Sequence, residues 1–291
     1  MTNDAWADWL LDRRDGGSAR QRARTLDRLG PVRDRVLDGT AIGPGDVLVD
    51  VGCGDGMIGL GALDRVGAEG RVVFADPSPT LLERCRAEVV RRGLASRAAF
   101  VEAAAEDLAG LADGAADAVT TRSVLIYVAD KARAFRAFRR VLRAGGRISI
   151  WEPINVHGFP EPAGRLFGYD VRAVDSLAVK VKAAQARGRP PERSPMLDFD
   201  ERDLLAQAEA AGFAALALTL EVTDRAPDPV EDWDVFLDSS PNPLAPTWRE
   251  AVAEALDAGE TRAFLAHLRP RAEAGEGRWR HAVAHLVGRA G

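Results

Sequence analysis

Cysteine is nearly absent from this 291-residue chain, Cys53 and Cys85 being the only two. Two thiols make no disulfide framework, and without a CxxC pair there is no thiolate set for structural zinc. Lysine is almost as scarce: three residues, Lys131, Lys180 and Lys182, stand among 39 basic ones. With so much alanine beside the arginine, this reads as genomic base composition. No uncharged apolar stretch approaches the ~20 residues that a bilayer core demands, which excludes a membrane-spanning helix. Nor is there a basic excess. The net charge of −5 argues against a nucleic-acid backbone as partner. The opening residues, MTNDAWADWLL, carry acids and lack the basic region, apolar run and small-residue cleavage site of a secretory signal, which predicts a cytoplasmic protein.

What is present is alternation. Short apolar runs at 46–51, 71–76, 97–102, 116–121 and 147–152 read as buried strands, and helix-length segments separate them. Ser78 and Pro79 mark a helix start over 79–92, and a second helix spans 130–142 before Gly145-Gly146. Strand, helix, strand in repetition predicts an α/β fold with a doubly wound, mostly parallel sheet. The rhythm breaks after Glu152 for about 45 proline-punctuated residues, too long for an ordinary connection. Residues 154–199 are therefore expected as a lid inserted in a core of residues 41–240, with helical extensions at 1–40 and 241–291. Within the core a helix over 201–211, capped by Asp200, and strands at 215–222 and 233–237 are expected; three amphipathic helices are expected from Pro246 onward.

The sequence VDVGCGDGMIG ends the first strand and opens the first helix, where an open α/β sheet receives nucleotide-like ligands. Gly52 and Gly54 permit a tight turn and close ligand approach, and the helix start offers free N–H groups. Two cofactors compete here. Gly54, Gly56 and Gly59 spell GxGxxG, and Asp76 stands 20 residues beyond Gly56, as a dinucleotide site requires. Against this, Asp50 and Asp55 would oppose a pyrophosphate by on the order of 1 kcal/mol each. The same acids suit the cationic groups of S-adenosylmethionine.

At these residues the chain resembles class I S-adenosylmethionine-dependent methyltransferases. VLVDVGCGDGMIGL is similar to their first motif, FADPSPTLLERC to the acidic second-strand motif, ADAVTTRSVLIYV to the fourth-strand motif and RRVLRAGGRISIWEP to the fifth. The resemblance covers about residues 46–153 and implies a seven-stranded sheet completed by later elements. It implies that Asp50, Gly52 and Gly54 line the methionine and ribose part of the cofactor, that Asp76 accepts both ribose hydroxyls, and that Pro77 packs on adenine. Ser123 would face the methionyl end. Ala104 stands where the family often has an acid, so Ala105 keeps the backbone contact to adenine while Glu106 or Asp107 replaces the lost one. A merely structural reading of Asp76, as a cap for the next helix, stands beside this, as does Cys53 as a small buried residue.

Methyl transfer from a sulfonium is an in-line displacement that asks mainly for alignment and exclusion of water. Where the acceptor must lose a proton, His157, four residues beyond Glu152, is the candidate base. Trp151, Glu152, Asn155 and Tyr169, with Phe159, are candidate acceptor contacts. His281 and His285 at i, i+4 on an expected helix have metal-ligand spacing, but no third ligand accompanies them, and no metal is expected. Arsenite as acceptor is set aside for want of thiols, amino groups of nucleic acids for want of an N/D-P-P-aromatic motif, and a catechol-type metal site for want of acids near the fourth strand. Residues 165–193 hold Arg165, Arg172, Lys180, Lys182, Arg187, Arg189 and Arg193 against Asp170, Asp175 and Glu192. This surplus fits either a solvated surface or a clamp for an anionic acceptor. The expected function is methylation of a small molecule, in the manner of secondary metabolism. The alternatives are an NAD-dependent oxidoreductase and a catalytically inactive S-adenosylmethionine-binding protein. Oligomeric state has no signal in the sequence.

Overall fold

The computed structural model describes residues 4–186 and 194–291. In chain order the elements are α1 (Ala5–Leu11), α2 (Ala19–Thr40), β1 (Val47–Val51), α3 (Met57–Arg65), β2 (Arg71–Asp76), α4 (Pro79–Arg91), β3 (Ala98–Glu102), β4 (Ala116–Arg122), α5 (Lys131–Val141) and β5 (Leu142–Pro153). There follow β6 (Arg165–Leu166), β7 (Tyr169–Asp170), α6 (Asp175–Ala186), α7 (Glu201–Ala210), β8 (Phe213–Arg225), α8 (Trp233–Asp238), α9 (Trp248–Ala255), α10 (Ala258–Glu273) and β9 (Trp279–Ala290). Local chemistry sets the helix starts. Ser78 Oγ accepts from Leu81 N with Pro79 in the first turn of α4, Asp130 accepts from Arg133 N at α5, and Asp200 forms a capping box with Asp203 at α7.

Contacts divide the chain into two compact units. The first, residues 26–154, 199–221 and 283–291, is the α/β unit. Its sheet runs β3-β2-β1-β4-β5-β9-β8, with β1 to β5 parallel to their neighbours and β9 antiparallel to β5. The expected doubly wound, mostly parallel sheet of seven strands is thus present. Leu48, Val72 and Phe74 on the strands meet Leu37 of α2, Leu63 of α3 and Val89 of α4 in one buried cluster. Phe74 also stacks on Phe100 at 5.2 Å. Each such side chain, fully buried, contributes roughly 1.5–3 kcal/mol.

Two expectations fail here. Residues 233–237 are helical: Asp232 caps α8 by accepting from Asp234 N and Val235 N, and Trp233 stacks on Phe236 one turn later at 5.2 Å. Aromatic content alone favours a strand, but the cap and the i, i+3 pair decide otherwise. Residues 279–290, expected as helix within the 241–291 extension, are strand β9. Their buried positions, Ala282, Ala284, Leu286 and Ala290, alternate with period two. The sequence HAVAHLV satisfies both periods, and pairing with β5 selects the strand.

The second unit, residues 4–25, 155–198 and 222–282, is centred on helices and the β6–β7 hairpin. The segment expected as a lid, residues 154–199, shares a core with the C-terminal helices: Leu166, Tyr169 and Val181 lie in one cluster with Trp248, Phe264 and Leu268. Rings continue through that unit from Phe159 to Trp279, Phe167, Trp248, Phe236 and Trp233, neighbouring centroids being 5.0 to 5.8 Å apart. No described helix is long and apolar enough to cross a membrane.

Candidate cofactor site

Three glycines shape the chain between β1 and α3. Gly52, Gly54 and Gly56 have φ of +62°, +56° and +87°, a region that side chains with a Cβ resist. Gly59 is needed for a different reason: a Cβ there would lie 2.4 Å from the Phe74 ring, so its absence lets α3 approach β2. Gly56 starts α3 with no side-chain cap, which presents first-turn N–H groups at the loop. Cys53 N donates to Ala75 O at 3.1 Å and ties the loop to β2. The two cysteines, distant in sequence, converge beneath it: Cys85 Sγ is 3.3 Å and Cys53 Sγ 3.9 Å from Gly54 O, both buried and free.

Asp50 does not serve as an open contact. Strand register sets it opposite Thr120. Its Oδ1 accepts from Thr120 Oγ1 at 3.0 Å and its Oδ2 from Gly59 N at 2.9 Å, and only 2% of the residue is exposed. Burial pushes its pKa up to about 7. The charge argument for the cofactor therefore rests less on Asp50 than the sequence predicts. Its carboxylate acts on the first turn of α3, one of the places where a helix has an N–H to offer.

Asp76 closes β2 as a buried carboxylate between two segments. Oδ2 accepts from Gly54 N and Oδ1 from Ser78 N, each at 2.9 Å. It thereby joins the glycine loop to the start of α4, and each oxygen has lone-pair capacity for a further donor. Pro77 beside it is exposed. Ala103 N donates to Asp76 O at 3.2 Å, bringing the turn after β3 alongside; there Ala105 is buried and Glu106 half-buried. Ser123 follows β4 with φ of +55°, its N–H donating to Trp151 O at 2.8 Å. The expected cofactor residues thus gather at the C-terminal ends of β1 to β4, where open parallel sheets bind ligands.

The acceptor contacts are distributed differently. Glu152 is fully buried: Oε1 accepts from Val124 N at 2.9 Å and from Thr121 Oγ1 at 3.3 Å, and Oε2 from Ile126 N at 3.2 Å. Burial raises its pKa to about 7. It is a support for the turn after β4, not an open acceptor contact. Trp151, on the opposite face, carries the Arg35 guanidinium 5.1 Å over its ring and the His285 ring at 5.8 Å. It is packing. Asn155, His157 and Tyr169 belong to the helical unit. Asn155 Nδ2 donates to Met196 O at 3.1 Å, and His157 sits partly buried in the turn Asn155–His157. Tyr169, 4% exposed against Phe236, is a core residue whose phenol burial pushes its pKa up.

His281 and His285 lie on β9, not on a helix, so four residues separate them by ~13 Å along the strand. His285 Nε2 is 2.9 Å from Ser149 Oγ, and burial pushes its pKa down to about 4. Among the described residues no group of acids, histidines or cysteines forms a metal cluster. Of the positive surplus at 165–193, Arg172 pairs with Asp170 and Lys180 with Glu260. Arg187, Arg189, Glu192 and Arg193 lie outside the described residues. Sequence reading missed the threonines: Thr120 and Thr121, adjacent on β4, point to opposite faces and secure one buried carboxylate each. A polar TT pair inside an apolar strand was the available signal.

The residues present fit an adenosyl cofactor. A buried acid, Asp76, ends β2, and a cradle without side chains follows β1. The antiparallel β9 between β5 and β8 departs from the all-parallel 3-2-1-4-5-6 order of dinucleotide folds. The family model described as "Methyltransferase domain" matches residues 49–150. The chain is 34% identical over 164 residues to the ubiquinone/menaquinone biosynthesis C-methyltransferase of Xanthomonas oryzae pv. oryzae, covering 52% of this chain and 62% of that one. It is 30% identical over 139 residues to the aklanonic acid methyltransferase of Streptomyces sp. strain C5, covering 46% and 62%. It spans less than two thirds of the length of either. A solved geranyl diphosphate methyltransferase in complex with S-adenosylmethionine has the same fold, with a TM-score of 0.53 at 20% identity over 97% of this chain and 94% of that one. Motifs, strand order and matched domain agree, and residues 49–150 form a methyltransferase domain of the class I S-adenosylmethionine-dependent superfamily.

Proposed function

We propose that this protein transfers a methyl group from S-adenosylmethionine to a small organic acceptor. The observation that carries the reading is the Asp76 carboxylate, buried at the end of β2 and bonded to Gly54 N of the glycine loop. In this reading Asp76 takes the ribose hydroxyls, Gly52 and Gly54 admit the cofactor's chain against backbone, and Ser123 borders its methionyl end. Ala105 and Glu106 meet adenine, with Pro77 against its ring. The bound cofactor supplies an activated methyl on a sulfonium, so the chain's task is to align donor and acceptor and keep water out.

Names of relatives support an organic acceptor of quinone or polyketide kind. A relative named arsenite methyltransferase, from Halobacterium salinarum, is 28% identical over 201 residues. Trivalent arsenic is disfavoured here because both cysteines are buried under the glycine loop. Calorimetry with S-adenosylmethionine, S-adenosylhomocysteine and NAD tests the cofactor. Micromolar binding of the first two without NAD is expected, and tight NAD binding alone would overturn the proposal. A product heavier by one methyl group, sought across a metabolite extract, then identifies the acceptor.

A further inference from the structure

The turn after β4 approaches the glycine loop at Gly52. A Cβ placed on Gly52 would lie 2.4 Å from Val124 Cγ2, so the valine side chain fills the space that a side chain at position 52 would need. Val124 is itself held from below. Its N–H donates to Glu152 Oε1 at 2.9 Å, Ile126 N donates to Oε2 at 3.2 Å, and Leu125 N also faces the carboxylate. Thr121 Oγ1 adds a bond at 3.3 Å. Three successive N–H groups converging on one buried acid fix the turn, since each would otherwise be a buried donor without a partner. The left-handed φ of +55° at Ser123, one residue before, is a conformation that needs such support.

We propose that Glu152 is a positioning residue for the cofactor site: through its bonds to the 124–126 backbone it presses Val124 against Gly52 and so sets the shape of the glycine loop. This rests on the proposed cofactor. Glu152 touches neither cofactor nor acceptor in this role. The titratable group facing it in the turn is the Tyr127 phenol, which is neutral; its neighbour across on β9 is Ala284, which is uncharged. A neutral acid keeps one oxygen as a full acceptor and turns the other into a donor facing an N–H, which loosens the turn.

The test is the affinity for S-adenosylhomocysteine, by calorimetry on the full chain, of Glu152→Gln, Val124→Ala and the double variant, with thermal midpoints alongside. At pH 8 each single substitution is expected to weaken binding about tenfold. The double variant should be no weaker than the poorer single one, because both break the same chain of contacts. Wild-type affinity should fall between pH 8 and pH 6, while that of Glu152→Gln falls less. Multiplicative losses in the double variant, or a lowered midpoint with unchanged affinity, would overturn the proposal. If Glu152→Gln does not fold, Glu152→Asp, which keeps the charge but shortens the reach, takes its place in the same cycle. Failure of the wild-type protein to bind S-adenosylhomocysteine would overturn the cofactor reading instead.

Discussion

The two units of this chain organise their interiors by different chemistry. In the α/β unit the ends of the strands are set by buried carboxylates: Asp76 and Glu152 each accept a backbone N–H from the segment that follows a neighbouring strand, and Asp50 accepts one from the helix that follows its own. In the helical unit the interior is a run of rings from Phe159 to Trp233, and the charged groups form arginine–carboxylate pairs at the surface, such as Arg278 and Arg280 on Asp224. Carboxylate-to-backbone bonds are directional and fix loop shape, whereas ring packing is tolerant of direction and sensitive to volume. Damage to the first kind of interior should therefore appear in ligand affinity, and damage to the second in stability.

The largest expected effect breaks the comparison from the helical side. Trp248→Ala removes a 5% exposed ring in contact with Phe167 and Phe236, and should cost about 3–5 kcal/mol in urea unfolding while leaving S-adenosylhomocysteine affinity unchanged in the folded protein. A weakened ligand would mean that the two interiors are not separable. Asp76→Ala is the converse. It should weaken S-adenosylmethionine binding by about 2–4 kcal/mol, since charge-assisted hydrogen bonds are worth ~1.5–3 each before solvent competes. An unchanged dissociation constant in a folded variant removes Asp76 from the site.

Stability against pH gives a smaller effect of defined sign. Asp50 and Glu152, raised to about 7, bind protons in the folded chain that the unfolded chain releases near pH 4, so they make the fold less stable as pH rises from about 4 to about 7. His285, lowered to about 4, acts the other way between about 6.5 and 4. With two acids against His285 and His281, whose pKa burial also lowers, unfolding free energy should be about 1–3 kcal/mol higher at pH 5.5 than at pH 7.5, and the difference larger in His285→Gln. A fold that weakens on mild acidification contradicts the buried carboxylates. The smallest effect concerns surface charge. Exposed ion pairs contribute little, so Arg172→Ala should leave the unfolding midpoint within error. The Michaelis constant for the true acceptor should not change on neutralising Lys180, already paired with Glu260. A constant that rises both with salt and with that substitution would restore the anionic clamp.

Much of the α/β unit was legible in the sequence because its signals are local. Buried parallel strands read as apolar runs, Ser78, Asp130 and Asp200 sit where their caps belong, and a glycine-rich turn after the first strand has few other uses. The site was legible to the same depth: Gly52, Gly54, Asp76, Ala105 and Ser123 do gather at the strand ends. Roles were not. Asp50, Glu152, Trp151 and Tyr169 are residue types that suit ligands equally well, and each has its partner far along the chain or on another strand.

By itself the sequence determined the strand–helix alternation, the caps and the glycine conformations, since periodicity and backbone sterics act within a few residues. Only the tertiary structure decided that 279–290 is a strand, because HAVAHLV fits either period and the open edge of β5 supplied the hydrogen bonds that chose between them. It also decided which acids turn to internal donors. A carboxylate goes to whatever donors lie nearest once strands are in register, and Thr120, Gly59, Val124 and Ile126 reach Asp50 and Glu152 only through contacts 9 to 70 residues apart.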